Sequence, residues 1–145
     1  MYKQILLPTD GTELCERAIR HGIELAKSVG AKVVGLTVTQ PLHSAVPRNL
    51  IPKNLAGIIY SETAKAADEK LATVSRLAHA AGVAAVMLRQ SNDHPWEAIV
   101  QTVRDKQCDL VVMASHGRRG ASAIVLGSET QKVLTHSTVP VLVVR

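Results

Sequence analysis

The chain has 145 residues, of which 46% are apolar and 20% charged. That is enough for one well-filled core and too little for two ordinary domains, so residues 1–145 are expected to form a single domain. No apolar run reaches the length of a bilayer span, and Met1-Tyr2-Lys3 leads into a strand without a signal-peptide pattern, so a cytoplasmic protein with no membrane partner is expected. The net charge of +5 invites a nucleic-acid reading, but the basic residues are scattered and only 2% of residues are aromatic. Trp96, Tyr2 and Tyr60 lie too far apart in sequence to form a base-stacking platform, so no nucleic-acid partner is expected.

In chain order, residues 3–7 read as a first strand, ended by the turn chemistry of Pro8-Thr9-Asp10-Gly11. Thr12 can cap the following helix. Its apolar residues Leu14, Cys15, Ala18, Ile19, Gly22, Leu25, Ala26 and Val29 recur at three- and four-residue spacing, and Gly30 ends it. Residues 31–38 give a second strand. From residue 39 to about 61 the pattern dissolves, because Pro41, Pro47 and Pro52 prevent any long regular element. A connection of that length is a functional lid, a partner surface or a disordered segment. Residues 62–81 form a clear helix closed by Gly82.

Residues 83–88 are a third strand, and 89–94 a polar loop before Pro95, which suits the first position of a helix. Trp96, Ile99, Val100 and Val103 form that helix's buried face. Residues 109–113 make a fourth strand, 128–136 a helix and 139–144 a last strand. Apolar strands alternating with helices predict an α/β fold, a single open five-stranded parallel sheet with helices on both faces. Cys15 and Cys108 form no Cys-x-x-Cys pattern and read as small core residues, and the six histidines show no metal-ligand spacing.

The chemistry concentrates after the fourth strand. The buried run ending in Met113-Ala114 breaks into Ser115-His116-Gly117-Arg118-Arg119-Gly120. Gly117 and Gly120 let the backbone approach a ligand, and Arg118 and Arg119 add two permanent cations. Gly127 then precedes Ser128-Glu129-Thr130-Gln131, a capping-box pattern that opens a helix. A helix N-terminus attracts anions, so the constellation reads as a phosphate site. The chain has no Gly-Lys-Ser/Thr P-loop, no Gly-x-Gly-x-x-Gly after the first strand and no Gly-x-Ser-x-Gly elbow. Those absences argue against P-loop ATPases, dinucleotide dehydrogenases and serine hydrolases.

Ala114-Ser115-His116-Gly117, the nine residues from Arg118 to Leu126, and Gly127-Ser128 resemble the Gly-x₂-Gly-x₉-Gly-Ser/Thr loop of nucleotide-binding universal stress proteins. Ala114 stands where the family has its first glycine, and residues 89–94 lack the glycine many members carry there. The likeness extends to Pro8-Thr9-Asp10-Gly11 and to Val139-Pro140-Val141-Leu142-Val143-Val144. It implies a Rossmann-like, adenine nucleotide alpha hydrolase-like sheet of order 3-2-1-4-5, with the first and fourth strands side by side. Their C-terminal ends would flank the crevice where ligands enter such sheets.

By this resemblance the ligand is ATP or AMP. Pro8, Thr9 and Val38 would line the adenine pocket, with Met113 and Ala114 at the end of the fourth strand, and His116 would touch phosphate. Asp10 would hold the ribose hydroxyls; the other readings of it are a divalent ion such as Mg²⁺ beside the phosphates, or a turn residue that caps the first helix. Gly117, Gly120, Gly127, Ser128, Glu129 and Thr130 would take the phosphates through backbone N–H groups and the Ser128 and Thr130 hydroxyls, with Arg118 and Arg119 screening their charge. The Glu129 carboxylate would oppose phosphate unless it points away or meets a metal.

The implied function is an adenine-nucleotide-binding stress-response sensor or regulator. It would work with a protein partner that the sequence does not name, and as a homodimer through residues 139–144. The alternatives are a slow Mg²⁺-dependent ATP hydrolase and a dimeric interaction module that binds no nucleotide.

Overall fold

Ile5, Leu6 and Leu7 are consecutive and all wholly buried. Neighbouring strand residues face opposite ways, so a strand carrying them must be covered on both sides. The computed structural model, which describes residues 1–117 and 125–145, meets that demand. Strands β1 (Gln4–Pro8), β2 (Lys32–Thr39), β3 (Ala85–Ser91), β4 (Leu110–Ala114) and β5 (Val141–Val144) form one sheet. Its order is β3-β2-β1-β4-β5, and every strand pair is parallel. This is the α/β architecture and strand order expected.

The helices are α1 (Glu13–Val29), α2 (Leu42–Ala45), α3 (Lys53–Ala81), α4 (Pro95–Asp105) and α5 (Ser128–His136). Ile5 and Leu7 belong to a core shared with Ile19 and Ile23 of α1 and Val74 and Ala78 of α3. Leu6 belongs to a second core with Ile99 and Val103 of α4 and Val133 of α5. The two cores are the two faces of the sheet. Cys15 lies in the first and Cys108 in the second, as small buried groups. Burial pushes both thiols up to about 11 from an ordinary value of 9.0. The helix ends anticipated at Gly30 and Gly82 are left-handed caps, with φ of 72° at each.

Three elements differ from the sequence reading by more than one residue. Helix α3 begins at Lys53 rather than at residue 62. Its first turns follow directly on Pro52, contain Gly57, and carry Leu55, Ile58 and Tyr60 on their exposed side. Ala56 and Ile59 turn partly inward, too few apolar positions to mark the segment as a helix. Before it, only α2 and a single 3₁₀ turn at Arg48–Leu50 interrupt residues 40–52.

Strand β3 runs on through Arg89, Gln90 and Ser91, which pair with Thr37, Val38 and Thr39 of β2. Main-chain pairing is indifferent to side-chain polarity, and β3 is an edge strand whose side chains are mostly exposed. Strand β5 is shorter than expected, starting at Val141. Pro140 has no N–H to contribute, and Val139 closes a small turn with the Ser137 hydroxyl. Among the described residues, no helix is long and apolar enough to cross a membrane.

Candidate functional site

The order β2-β1-β4 puts the C-terminal ends of three parallel strands together, and the site grows from the turns that leave them. At the end of β1 the Thr9 amide donates to the Leu36 carbonyl of β2 (2.8 Å). The buried Thr37 hydroxyl donates to the Thr9 carbonyl (3.0 Å). Thr9 is itself buried, so its main chain is held to β2. Pro8 pairs with Leu36, and Val38, two residues further along β2, packs on the α4/α5 core.

Asp10 then turns back on the first helix. Its Oδ1 accepts from the Thr12 amide (2.9 Å) and the Thr12 hydroxyl (2.7 Å), and the Thr12 oxygen accepts from the Cys15 amide (3.3 Å). Asp10 thus braces the N-cap of α1, which is the turn role considered for it. Its Oδ2 faces the loop after β4: a Cβ placed on Gly117 would lie 2.5 Å from that oxygen. The two loops, about a hundred residues apart in sequence, touch here because position 117 has no side chain.

At the end of β4, Met113 and Ala114 are buried in the strand, and Ser115 is buried just beyond it. The Ser115 amide donates to the Val144 carbonyl (2.8 Å), and its carbonyl accepts from the Gly127 amide (2.8 Å). The Thr130 hydroxyl donates to the Ala114 carbonyl (3.0 Å). The N-terminus of α5 is therefore fastened to the end of β4. Position 127 must be small for this, since a Cβ there would lie 3.1 Å from the Cα of His116. His116 is half-buried, and its Nδ1 lies 3.2 Å from the Ser115 hydroxyl.

Several expectations change. The capping box does not form: Gly127 is the N-cap and makes no side-chain cap bond. Gln131, which would reach back in a capping box, donates its side chain to the Leu126 carbonyl (2.7 Å). Ser128 is consequently the first helical residue, and it is exposed. The Thr130 hydroxyl, expected at the phosphates, is committed to Ala114 in a residue only 2% exposed. The Glu129 Oε2 accepts from the Trp96 amide in the first turn of α4 (2.8 Å). The amides of Ser128, Glu129 and Thr130 have no acceptor within α5, as in any helix's first turn. Arg118, Arg119 and Gly120 lie outside the described residues.

Sequence reasoning missed the contact between the first turns of α4 and α5, and the stacking of Trp96 on His136 (ring centroids 4.5 Å apart). Both join residues far apart in the chain, and no local pattern announces them. It also gave no sign of a groove of about 420 Å³ lined by Asp68, Leu71, Ala72, Ser75, Met87 and Arg89. That groove lies between α3 and the outer strand β3, away from the β1/β4 crevice. Arg89 and Asp68 pair across it at 3.0 Å. Among the described residues, no group of three or more His, Cys, Asp or Glu gathers to hold a metal ion.

The sequence profile described as the universal stress protein family matches residues 1–145, the whole chain. The chain belongs to that family. Its similarity to universal stress protein MJ0531 of Methanocaldococcus jannaschii is 32% identity over 146 residues, covering 100% of this chain and 83% of the relative. Among solved structures, it resembles protein MJ0577 of the same organism with a TM-score of 0.81 and 28% identity, over 99% of this chain and 96% of the other. Two universal stress protein structures share the fold at a TM-score of 0.70 each. One, solved in complex with cAMP, is 23% identical over 99% of this chain and 97% of the other. The other, from Archaeoglobus fulgidus in complex with dAMP, is 18% identical over 99% and 98%.

Proposed function

We propose that this universal stress protein binds an adenine nucleotide in the crevice between the ends of β1 and β4, and that it acts as one cytoplasmic domain in stress sensing or regulation. One observation carries the reading: the first turn of α5 is fastened to the end of β4, whose following loop meets Asp10 at Gly117, at the point where the sheet order reverses. A helix N-terminus at such a switch point has amides and a positive dipole end to offer a phosphate. The relatives solved with cAMP and dAMP support an adenine ligand.

In this reading Pro8, Thr9, Val38 and Met113 border the base, and Asp10 meets the ribose. The amides of residues 128–130, the exposed Ser128 hydroxyl and the 117–127 loop with Arg118 and Arg119 take the phosphates. Any Mg²⁺ would arrive on those phosphates rather than in a cage of side chains. Thr130 contributes its amide only. The hydrolase alternative gains no support from Asp10, whose carboxylate braces the α1 cap.

Calorimetry with AMP, ADP and ATP tests the proposal, together with Ser128→Asp. An Asp in the first turn suits a helix N-terminus and should leave folding unharmed. At an exposed position beside a phosphate it should weaken binding by about tenfold or more, the equivalent of roughly 1.4 kcal/mol. Wild-type protein that shows no heat with any of the three nucleotides at millimolar concentration overturns the assignment.

A further inference from the structure

We propose that Glu129 biases the charge preference of the nucleotide site, holding a fixed negative charge beside the phosphates that lowers triphosphate affinity relative to monophosphate affinity. The inference rests on the nucleotide reading above and adds its specificity. Glu129 is the second residue of α5, within the turn whose amides would face phosphate. Its carboxylate does not swing freely. The Oε2 atom accepts from the Trp96 amide at 2.8 Å. Trp96 is the second residue of α4, whose own N-cap, His94, makes no side-chain cap bond.

Glu129 therefore acts as the cap of α4 from across the interface, and α4 holds the carboxylate in place. Its other oxygen faces Lys132 at 3.7 Å, in a pair whose side chains are 46% and 38% exposed. Both charges act on a phosphate through solvent, and removing the Glu129 charge leaves the Lys132 cation in place. Two helix N-termini thus converge on one side-chain anion, which occupies the positive end of α4 before any ligand arrives. Beside the positive helix end and the two arginines proposed for it, a phosphate at α5 meets this neighbouring anion, and each added phosphate charge increases the repulsion from Glu129.

The size of the effect follows from Coulomb's law. With water-like screening and a separation of about 10 Å, the two extra charges of ATP over AMP shift their relative affinity by about fourfold. Glu129→Gln removes the charge and keeps an oxygen for the Trp96 amide. Glu129→Ala removes both. Titrations of AMP and ATP with wild type and both variants, free of Mg²⁺ and at low salt, read the ratio. Melting curves and the emission of Trp96, the chain's one tryptophan, read the cap.

Both variants should raise the ATP-to-AMP affinity ratio by about fourfold, and the gain should shrink at about 1 M salt, where the screening length is about 3 Å. Only Glu129→Ala should lower the melting temperature and shift the Trp96 emission. Nucleotide binding with an unchanged ratio in both variants overturns this inference and leaves the nucleotide reading intact. No binding of either nucleotide by any of the three proteins overturns both.

Discussion

Replacing Thr130 by Val separates the two jobs available to this residue. Threonine and valine have nearly the same shape, so packing and helix propensity change little while the hydroxyl disappears. That hydroxyl makes one hydrogen bond, 3.0 Å to the Ala114 carbonyl, inside a residue only 2% exposed. Losing a buried bond and leaving its acceptor short of a partner costs about 1–3 kcal/mol. For a chain of this length 1 kcal/mol corresponds to roughly 4 °C in melting temperature. The expected drop is then about 4–12 °C, measured by circular dichroism without ligand. Nucleotide affinity, measured by calorimetry well below the transition, should stay within about twofold of wild type, since binding needs only the Thr130 amide. Thr130→Ser, which keeps the hydroxyl, should melt closer to wild type. A Thr130→Val protein that melts like wild type yet binds nucleotide about tenfold more weakly would refute the reasoning and return the hydroxyl to the ligand.

Two further outcomes are expected. The folded thiols of Cys15 and Cys108 keep their protons up to about pH 11, while those of the unfolded chain begin to ionise near 9.0. Unfolding therefore releases protons in that window, and stability should fall as pH rises from about 9 to 11 and be insensitive to these groups below it. Chemical denaturation at stepped pH checks this, and a slope that persists undiminished in a Cys15→Ala, Cys108→Ala variant would assign it to other groups. We also propose that the edge strand β5 pairs with a second copy, because among the described residues β5 has only β4 beside it and Leu142 is 44% exposed. Leu142→Lys should then move the protein toward monomer in sedimentation at micromolar concentration, and a wild-type monomer under the same conditions removes the proposal.

The sequence by itself determined the α/β class and the helices α1, α4 and α5, and it singled out the segment proposed to meet phosphate. Those features are local. The three-and-four spacing of Ala18, Ile19, Gly22 and Ala26, the Pro95 start and the glycines at 30 and 82 all act within a few residues of themselves. The strand order needed a family resemblance, since periodicity says which residues are buried and nothing about which strand lies beside which.

Tertiary structure decided the rest. Helix α3 extends back to Lys53 through turns in which Ala56 and Ile59 alone are half-buried apolar residues, and β3 runs on through Arg89, Gln90 and Ser91 because β2 supplies the pairing. The same long-range contacts settled the side chains around the crevice. Ser128-Glu129-Thr130-Gln131 reads as a capping box, but the Ser115 carbonyl holds Gly127, the Ala114 carbonyl takes the Thr130 hydroxyl, and the Trp96 amide takes Glu129. Each of those partners comes from a strand end or another helix. A hydrogen-bonding side chain goes where the folded backbone leaves an unmatched donor or acceptor, and where those lie is known only once the strands and helices have assembled.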